Sequence, residues 1–419
     1  MRNLIIHNAS ELVFSSGYEA KKGKDMNKLT RIEDGMIVVE NGVIVAIGPT
    51  HKLESKFNFD NYEIIDARGK SVLPGFVDSH THFVFGGYRE EEFSWRLEGK
   101  SYMEIMERGG GIVNSVEGTK KASYEELLKL GEKRLDSMMR FGVTTVEGKS
   151  GYGLDYDTEI KQLEVMRELN SVHELDIVPT FLGAHAVPNE YKGNERKFIE
   201  KMIRILPEIK EKNLAEFCDV FCEKNVFEIE DSKYLLEEAC KIGLKLKLHA
   251  DEIVQLGGAE LAANLKAVSA DHLLQASDEG IDMLANTGTI ATLLPATAFS
   301  LKENYARGRY MIDQGCAVAL ASDLNPGSCF TESIPLLIAL STLYMNLTIE
   351  ETVTALTLNG AAALDRADRL GSLDLNKQAD MIILEHESYK FLPYHIGVNC
   401  VETVIKNGKV IYDKGRKLC

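Results

Sequence analysis

Cysteine, tryptophan and proline are scarce in this chain, and it has no long apolar run. Its 419 residues include 7 cysteines, 1 tryptophan and 9 prolines. The odd number of cysteines and their spacing argue against a disulfide framework and a zinc ribbon, and favour reduced thiols in a cytoplasm. No apolar run approaches the roughly 18–20 residues that span a bilayer, and the first residues lack a signal-peptide pattern. We therefore expect a cytoplasmic protein without a membrane partner.

Positive charge is also in deficit. The chain has 48 lysines and arginines against 64 acidic residues, which gives a formal net charge of −16. A field of this sign repels phosphate backbones and anionic lipids, so we expect no nucleic-acid partner. An anionic substrate would need a local basic group to offset the field. The apolar fraction of 44% and the charged fraction of 27% are typical of a soluble globular protein.

Both ends of the chain show short strands joined by turns. Residues 36–48 and 404–412 each carry strand-forming residues on both sides of an Asn-Gly pair, which is typical of a hairpin turn. The middle of the chain lacks this pattern. We therefore predict a small β domain built from residues 1–70 and 365–419, and a separate catalytic domain over residues 71–364.

The central segment alternates apolar strands with amphipathic helices. Each of eight predicted strands is followed by a helical segment, and this number favours a (β/α)8 barrel of the TIM type over an open doubly wound sheet. No glycine-rich nucleotide-binding loop follows any of these strands. The predicted strands cover residues 71–82, 143–146, 177–182, 217–221, 244–249, 267–272, 289–294 and 317–323.

Histidine and aspartate stand at the ends of several predicted strands. His80 and His82 are two residues apart, so on a strand their side chains point the same way, and His249 and Asp323 end two later strands. Three imidazoles and one carboxylate suit zinc or ferrous iron, which would acidify a bound water and polarise a carbonyl. A core histidine at 249 and a helix cap at 323 are the structural alternatives. The strand-end positions favour a metal site.

Two further strand-end residues suit proton transfer. Glu252 lies three residues after His249, where a carboxylate could move protons between a water and a leaving nitrogen. His272 could orient the water or stabilise an oxyanion. A solvent-facing acid and a hydrogen-bonding histidine are the alternatives. Glu252, His272 and Asp323 form the predicted catalytic set.

Other side chains near the strand ends are candidates for substrate contact. Arg89 could hold a carboxylate bidentately, although pairing with the acids that follow it is the simpler interpretation of an isolated arginine. Tyr152 and His185 follow strands and could reach the barrel mouth. The turn after Asp323 could present substrate-binding groups or could be only a tight turn. Its candidates are Asn325, the Gly327 backbone and Ser328.

These motifs together resemble the amidohydrolase superfamily and, within it, the imidazolonepropionases. The first motif is typical of the whole superfamily, whereas residues 149–154 and 323–328 are much more specific. The resemblance covers nearly the whole chain. The matching segments are residues 74–82, 88–92, 109–112, 149–154, 249–252, 271–273 and 322–328.

The resemblance implies hydrolysis of 4-imidazolone-5-propanoate to N-formimidoyl-L-glutamate in histidine degradation. Tyr102 is implied as a further pocket residue, and a homodimer is expected. No bridging lysine is evident at the fourth strand, where His185 lies instead, so one divalent ion, zinc or iron, is expected. The implied metal ligands are His80, His82, His249 and Asp323, and the implied substrate contacts are Arg89, Tyr152, His185, Glu252, Asn325, Gly327 and Ser328.

A nucleobase-type deaminase on the same barrel is the alternative function. Its proton shuttling would suit the sequence around Glu252 equally well, but its substrates usually lack a carboxylate, so Arg89 distinguishes the two functions. A metal-bearing scaffold without catalysis is a third class. It predicts loss of the catalytic set, whereas Glu252, His272 and Asp323 are all present.

Overall fold

The computed structural model of the chain describes residues 3–100, 104, 108 and 110–415. Two predicted features, Tyr102 and Gly109, lie outside the described residues. Two large sheets organise the rest of the chain. In chain order the strands are β1 (Leu4–Phe14), β2 (Thr30–Glu40), β3 (Val43–Pro49), β4 (Glu63–Asp66), β5 (Ser71–Pro74), β6 (Phe76–Asp78), β7 (Val143–Lys149), β8 (Asp176–Ala184), β9 (Phe217–Cys222), β10 (Lys245–Ala250), β11 (Ser269–His272), β12 (Ile290–Leu293), β13 (Val318–Leu320), β14 (Met381–Leu384), β15 (Val401–Lys406) and β16 (Lys409–Asp413).

The first sheet combines the two ends of the chain. Its order is β16-β15-β14-β5-β1-β2-β3, with β4 also paired to β1. Both Asn-Gly hairpins predicted from the sequence are confirmed, as the antiparallel pairs β2–β3 and β15–β16. Apolar side chains of β1, β2 and β14 form its buried core, among them Leu12, Ile37 and Met381. A separate β sheet from the chain ends is therefore confirmed.

The second sheet is a parallel barrel. Its strands follow one another in sequence order from β6 to β13, as expected of successive β–α units. The seam between the first and last strands is closed by backbone hydrogen bonds. The Asp323 amide donates to the His80 carbonyl at 3.0 Å, and the His82 amide donates to the Leu324 carbonyl at 2.8 Å. The predicted (β/α)8 barrel is confirmed.

The apolar run over residues 71–82 is divided between the two sheets rather than forming one strand. β5 belongs to the sheet of the chain ends, and β6 begins the barrel after Gly75. A Cβ atom at Gly75 would lie 2.3 Å from the Thr144 side chain, so the chain can change sheets here only because residue 75 is a glycine. His80 and His82 consequently follow the end of β6.

Helices surround the barrel and mostly match the predicted ones. The segment over residues 195–212 forms two helices rather than one, and they divide before Pro207 because proline lacks the amide donor that a continuous helix needs. No helix in the described ranges is long and apolar enough to span a membrane. The helices are Thr50–Leu53, Glu90–Leu97, Ile112–Lys121, Tyr124–Arg140, Tyr156–Val172, Glu195–Ile203, Leu206–Glu211, Ile229–Lys241, Gly258–Asn264, Asp278–Thr287, Pro295–Leu301, Gly308–Asp313, Ile334–Leu343, Ile349–Leu356, Leu358–Ala363 and Phe391–Tyr394.

Candidate metal centre and active site

Four imidazoles meet at the carboxyl-terminal end of the barrel strands. His80 and His82 follow β6, His249 lies on β10, and His272 ends β11. The ring centres of His80 and His249 are 4.5 Å apart, and those of His249 and His272 are 5.1 Å apart. All four side chains are buried. The barrel therefore brings together histidines that are far apart in the sequence.

Asp323 completes this cluster from the last barrel strand. Its Oδ1 atom lies 3.6 Å from Nε2 of His80 and 3.6 Å from Nε2 of His82. The Thr297 hydroxyl donates to Oδ2 at 2.6 Å and holds the carboxylate in place. Burial raises the pKa of Asp323 to about 6, so the group is mostly ionised at neutral pH.

The ring nitrogens of these histidines suit a metal ion. Nε2 of His80, Nδ1 of His82 and Nε2 of His249 are buried without a hydrogen-bond partner in the described part of the chain. Ligand atoms of the same three side chains lie within 4.8 Å of one another. Burial holds the pKa of His80 and that of His82 well below the usual range, so both imidazoles are neutral and can offer a lone pair.

Two carboxylates behind the cluster orient its histidines. Asp271 Oδ2 lies 2.6 Å from Nδ1 of His80, and Asp219 Oδ2 lies 3.0 Å from Nδ1 of His249. Burial lowers the pKa of His249, but the Asp219 carboxylate raises it by more, so the pKa lies above its usual value. A carboxylate at Nδ1 fixes the proton on that atom and leaves Nε2 free for a metal. The orienting role of Asp219 was not predicted, although an acid inside an apolar strand could have indicated it.

Two buried lysines lie among these carboxylates inside the barrel. Lys149 Nζ donates to Asp219 at 2.7 Å and to Glu147 at 3.0 Å, and Lys247 Nζ donates to Glu147 at 2.9 Å. Burial disfavours the ammonium form, but Asp219, Glu147 and Asp271 raise the pKa of Lys149. Both lysines are therefore part of an ionic layer beneath the histidines.

The ionic layer and Asp323 leave an excess of buried negative charge. Four carboxylates face two ammonium groups, and all of these side chains are buried. Uncompensated charge is costly inside a protein, and a divalent cation at the histidines would offset negative charge from these carboxylates. The acids are Glu147, Asp219, Asp271 and Asp323, and the bases are Lys149 and Lys247.

Replacement of Lys149 by methionine is expected to destabilise the protein. The variant leaves Asp219 without its ammonium partner, and breaking a buried ion pair on one side typically costs about 3–5 kcal/mol. Urea unfolding should show this loss in the free energy of unfolding. Lys129→Met, which alters an exposed helical lysine, is the matched control. Equal stability of the two variants would contradict a role for the ionic layer in the fold.

Glu252 and His272 face each other beside the cluster. Glu252 Oε1 lies 3.6 Å from Nδ1 of His272. Burial and the nearby Asp323 raise the pKa of Glu252 to about 8, whereas burial holds the pKa of His272 well below its usual range. His272 also has a positive φ of 75°, a strained backbone that turns its side chain at the end of β11. A carboxyl group that can both take up and release a proton near neutral pH thus lies next to a neutral imidazole.

Arg89 lies beside the turn that follows Asp323. Its guanidinium donates to Glu92 from Nε at 2.9 Å and from Nη2 at 2.8 Å, so the predicted pairing with a nearby acid is present. Glu92 is itself held by the Gly111 amide at 2.9 Å. A Cβ atom at Gly327 would lie 2.2 Å from Nη1 of Arg89. The guanidinium of Arg89 therefore packs closely against this turn at Gly327.

Tyr152 and His185 form one wall of the site. The His185 ring stacks on His82 with centres 5.0 Å apart, and its centre is 5.3 Å from that of Tyr152. Nδ1 of His185 lies 3.1 Å from the Gly151 carbonyl, which it meets as a donor. Burial lowers the pKa of His185 to about 3 and raises that of Tyr152, so both side chains are neutral.

The Asn325 side chain bonds within its own turn. Its Oδ1 accepts from the amides of Gly327 and Ser328, both at 2.8 Å, and its Nδ2 donates to the Asp323 carbonyl at 2.8 Å. These bonds fix the turn that carries Asp323 and faces Arg89. Substrate contacts of Asn325, Gly327 and Ser328 stay predictions.

Comparison with known proteins identifies the family. A profile of the amidohydrolase family matches residues 71–411. The imidazolonepropionase of Clostridium tetani (strain Massachusetts / E88) is 60% identical over 413 residues, which cover 98% of this chain and 99% of that protein. The superfamily is generally metal-dependent, in keeping with the candidate histidine and aspartate groups in this barrel.

Solved structures with the same fold are more distant. Guanine deaminase of E. coli has a TM-score of 0.72 at 14% identity and covers 99% of each chain. A mutant atrazine chlorohydrolase from Arthrobacter aurescens TC1, complexed with zinc and atraton, has a TM-score of 0.72 at 17% identity, over 99% of this chain and 96% of that one. These two likenesses concern the fold alone. By its family profile and its full-length relative, the chain belongs to the imidazolonepropionase family, a family of hydrolases within the amidohydrolase superfamily.

Proposed function

We propose that this chain hydrolyses 4-imidazolone-5-propanoate to N-formimidoyl-L-glutamate in histidine degradation. One ring carbon–nitrogen bond breaks, the carbonyl carbon gains an oxygen atom from water, and the departing ring nitrogen gains a proton. The observation that carries the proposal is Arg89, whose guanidinium packs against Gly327 in the turn after Asp323. A fixed cation beside this cluster supports a substrate that joins a cyclic amide to a carboxylate. The full-length similarity to the Clostridium tetani protein supports the same choice.

We place one divalent ion, zinc or iron, on His80, His82, His249 and Asp323. The unpartnered ring nitrogens and the buried carboxylates around them support this set. When bound, the ion would polarise the ring carbonyl and lower the pKa of a water molecule. Asp271 and Asp219 keep the rings of His80 and His249 in the orientation that this set requires.

We assign proton transfer to Glu252. Its raised pKa near 8 suits a carboxyl group that takes a proton from the attacking water and delivers it to the departing ring nitrogen. His272 is neutral and can donate a hydrogen bond to the oxygen on which negative charge develops. Tyr152 and His185 close the wall of the site and limit the water that reaches it.

The activity can be tested directly on the purified protein. Incubation with 4-imidazolone-5-propanoate should remove the absorption of the ring and form N-formimidoyl-L-glutamate without release of ammonia. Ammonia release with an intact ring would contradict the proposal and support a deaminase. The deaminase alternative is not favoured, because the deaminase structure in the comparison is a distant relative.

Replacement of Arg89 by methionine should reduce selectivity for the carboxylate. The net charge of −16 disfavours an anion, so the local guanidinium must offset this field. A hydrogen bond to a charged group contributes roughly 1.5–3 kcal/mol, and its loss should lower kcat/KM for imidazolone propanoate by roughly 10- to 150-fold. An uncharged imidazolone analogue serves as the control and should be turned over equally well by both proteins. Equal losses on both compounds would make Arg89 structural.

We also propose a cytoplasmic homodimer that has no nucleic-acid or membrane partner. Leu343 and Tyr344, at the end of the helix Ile334–Leu343, expose large apolar surface, which supports an interface between subunits there. The division into a small β domain over residues 1–70 and 365–419 and a barrel domain over residues 71–364 likewise stays a proposal. β5 lies in the small sheet although its residues fall in the second range.

A further inference from the structure

A second group of metal-ligand side chains lies outside the barrel. It consists of His386, His395 and Cys400, all in the segment that connects β14 to β15. One ligand atom from each side chain can be chosen so that all three lie within 4.8 Å of one another. None of these residues has a role in the proposed hydrolysis.

Backbone hydrogen bonds hold all three residues in place. The Ser71 amide donates to the His386 carbonyl at 2.8 Å, and the Glu385 amide donates to the Cys400 carbonyl at 3.0 Å, so both ends of the segment are tied to the sheet. The His395 amide bonds to the Phe391 carbonyl at 2.9 Å and ends a short helix. The His386 ring stacks on Phe391 with centres 4.1 Å apart. The segment therefore has a fixed shape around the group.

The ligand atoms of this group have few other partners. Nε2 of His386 is buried and has no hydrogen-bond partner among the described residues. Cys400 is buried; its thiol donates to the Val398 carbonyl at 3.6 Å, and its Sγ atom lies 4.0 Å from Nδ1 of His395. The Glu385 carboxylate accepts from Lys414 at 2.9 Å, and its Oε1 atom lies 3.8 Å from Nε2 of His386, beyond hydrogen-bond distance. A buried ring nitrogen without a hydrogen-bond partner, as at His386, is costly unless a ligand meets it.

We propose that His386, His395 and Cys400 form a second metal site, which binds zinc. Zinc holds nitrogen at about 2.0–2.1 Å and thiolate sulfur at about 2.3 Å, so side-chain movements of about 1 Å would bring the three atoms into its shell. The Cys400 thiol releases its proton to solvent as the zinc–sulfur bond forms. A water molecule takes the fourth position. Thiolate and imidazole select zinc over magnesium or calcium.

The site would stabilise the connection between β14 and β15. Two of its ligands lie near the ends of one segment and the third lies between them. A bound ion would therefore cross-link the segment and restrict its motion. The exposed Tyr394, Ile396 and Val398 belong to the same segment and would be held in one conformation. The role is structural, because the group lies on the sheet of the chain ends and not at the barrel mouth.

Cobalt substitution distinguishes this site from the barrel centre. A cobalt ion bound to Cys400 gives thiolate-to-metal charge-transfer absorption in the near ultraviolet, whereas the barrel shell of histidine and aspartate contains no thiolate. Full-length protein, freed of metal by a chelator, would be titrated with cobalt. We expect two equivalents per chain, one of them with the charge-transfer band, and displacement of that band by zinc.

Substitutions locate the band. Cys400→Ser should remove it and one of the two equivalents while hydrolysis stays at the wild-type rate, and Cys240→Ser, at an exposed cysteine, should change neither. His395→Ala, an exposed position that leaves the thiol in place, should weaken cobalt binding at this site at least tenfold. Binding of one equivalent without the band, or a band that survives Cys400→Ser, would overturn the proposal.

Discussion

Replacement of Glu252 by glutamine should lower kcat by roughly 10²- to 10⁴-fold, the usual contribution of a positioned acid–base group. Glutamine keeps the shape of the side chain but cannot take up or release a proton at neutral pH. The Glu252 carboxyl group lies next to His272, and burial together with the nearby Asp323 raises its pKa. Steady-state kinetics with imidazolone propanoate would measure the loss.

Metal content and a neighbouring acid provide the controls for this variant. Glu252 is not among the proposed ligands, so bound metal should stay at the wild-type amount. Glu260→Gln alters a carboxylate that caps the neighbouring helix through Ser277, and its kcat should be unchanged. A Glu252→Gln enzyme with the wild-type kcat would remove this residue from the mechanism. Loss of metal would instead assign it to the metal shell.

Replacement of His249 by alanine should remove the barrel metal and with it nearly all turnover. The variant deletes one of three imidazoles and leaves Asp219 without the ring that it orients. A metal-binding set loses far more than one contact when its geometry is broken, because the remaining ligands no longer surround the ion. Elemental analysis after dialysis, with a parallel hydrolysis assay, would measure both losses.

An exposed histidine gives the matched control. His51→Ala changes a mostly exposed imidazole near the paired strands β2 and β3, and metal content and turnover should both stay at the wild-type values. Full retention of metal by His249→Ala would exclude this residue from the shell. Retained folding can be checked by circular dichroism, so that loss of metal is not confused with loss of structure.

The candidate site was largely predictable because its residues stand at strand ends. In a parallel barrel the carboxyl ends of all strands meet at one face, so a histidine or aspartate at each end indicates one shared site. The positions of His80, His249, His272 and Asp323 could be inferred in this way without any contact information. The barrel itself followed from the alternation of strands and helices.

The ionic layer could not be predicted in the same way. Whether Lys149, Lys247 and Asp219 point into the barrel depends on the tilt and stagger of the strands, which the sequence pattern does not define. A charged residue within an apolar strand could equally face a helix or a strand end. The division of residues 71–82 between two sheets could not be predicted either. It involves a close approach of Thr144 to Gly75, and the sequence pattern does not show contacts between distant residues.

The proposed metal centre can form only after the barrel seam has closed. The bonds that join the His80 carbonyl to the Asp323 amide, and the His82 amide to the Leu324 carbonyl, link the first strand to the last. The proposed ligands lie on both sides of this seam, with His249 on a strand between them. A partly synthesised or partly unfolded chain has only fragments of the shell and no high-affinity centre. With the proposed ligand set, we therefore expect metal uptake and hydrolysis only in chains whose barrel strands have all folded.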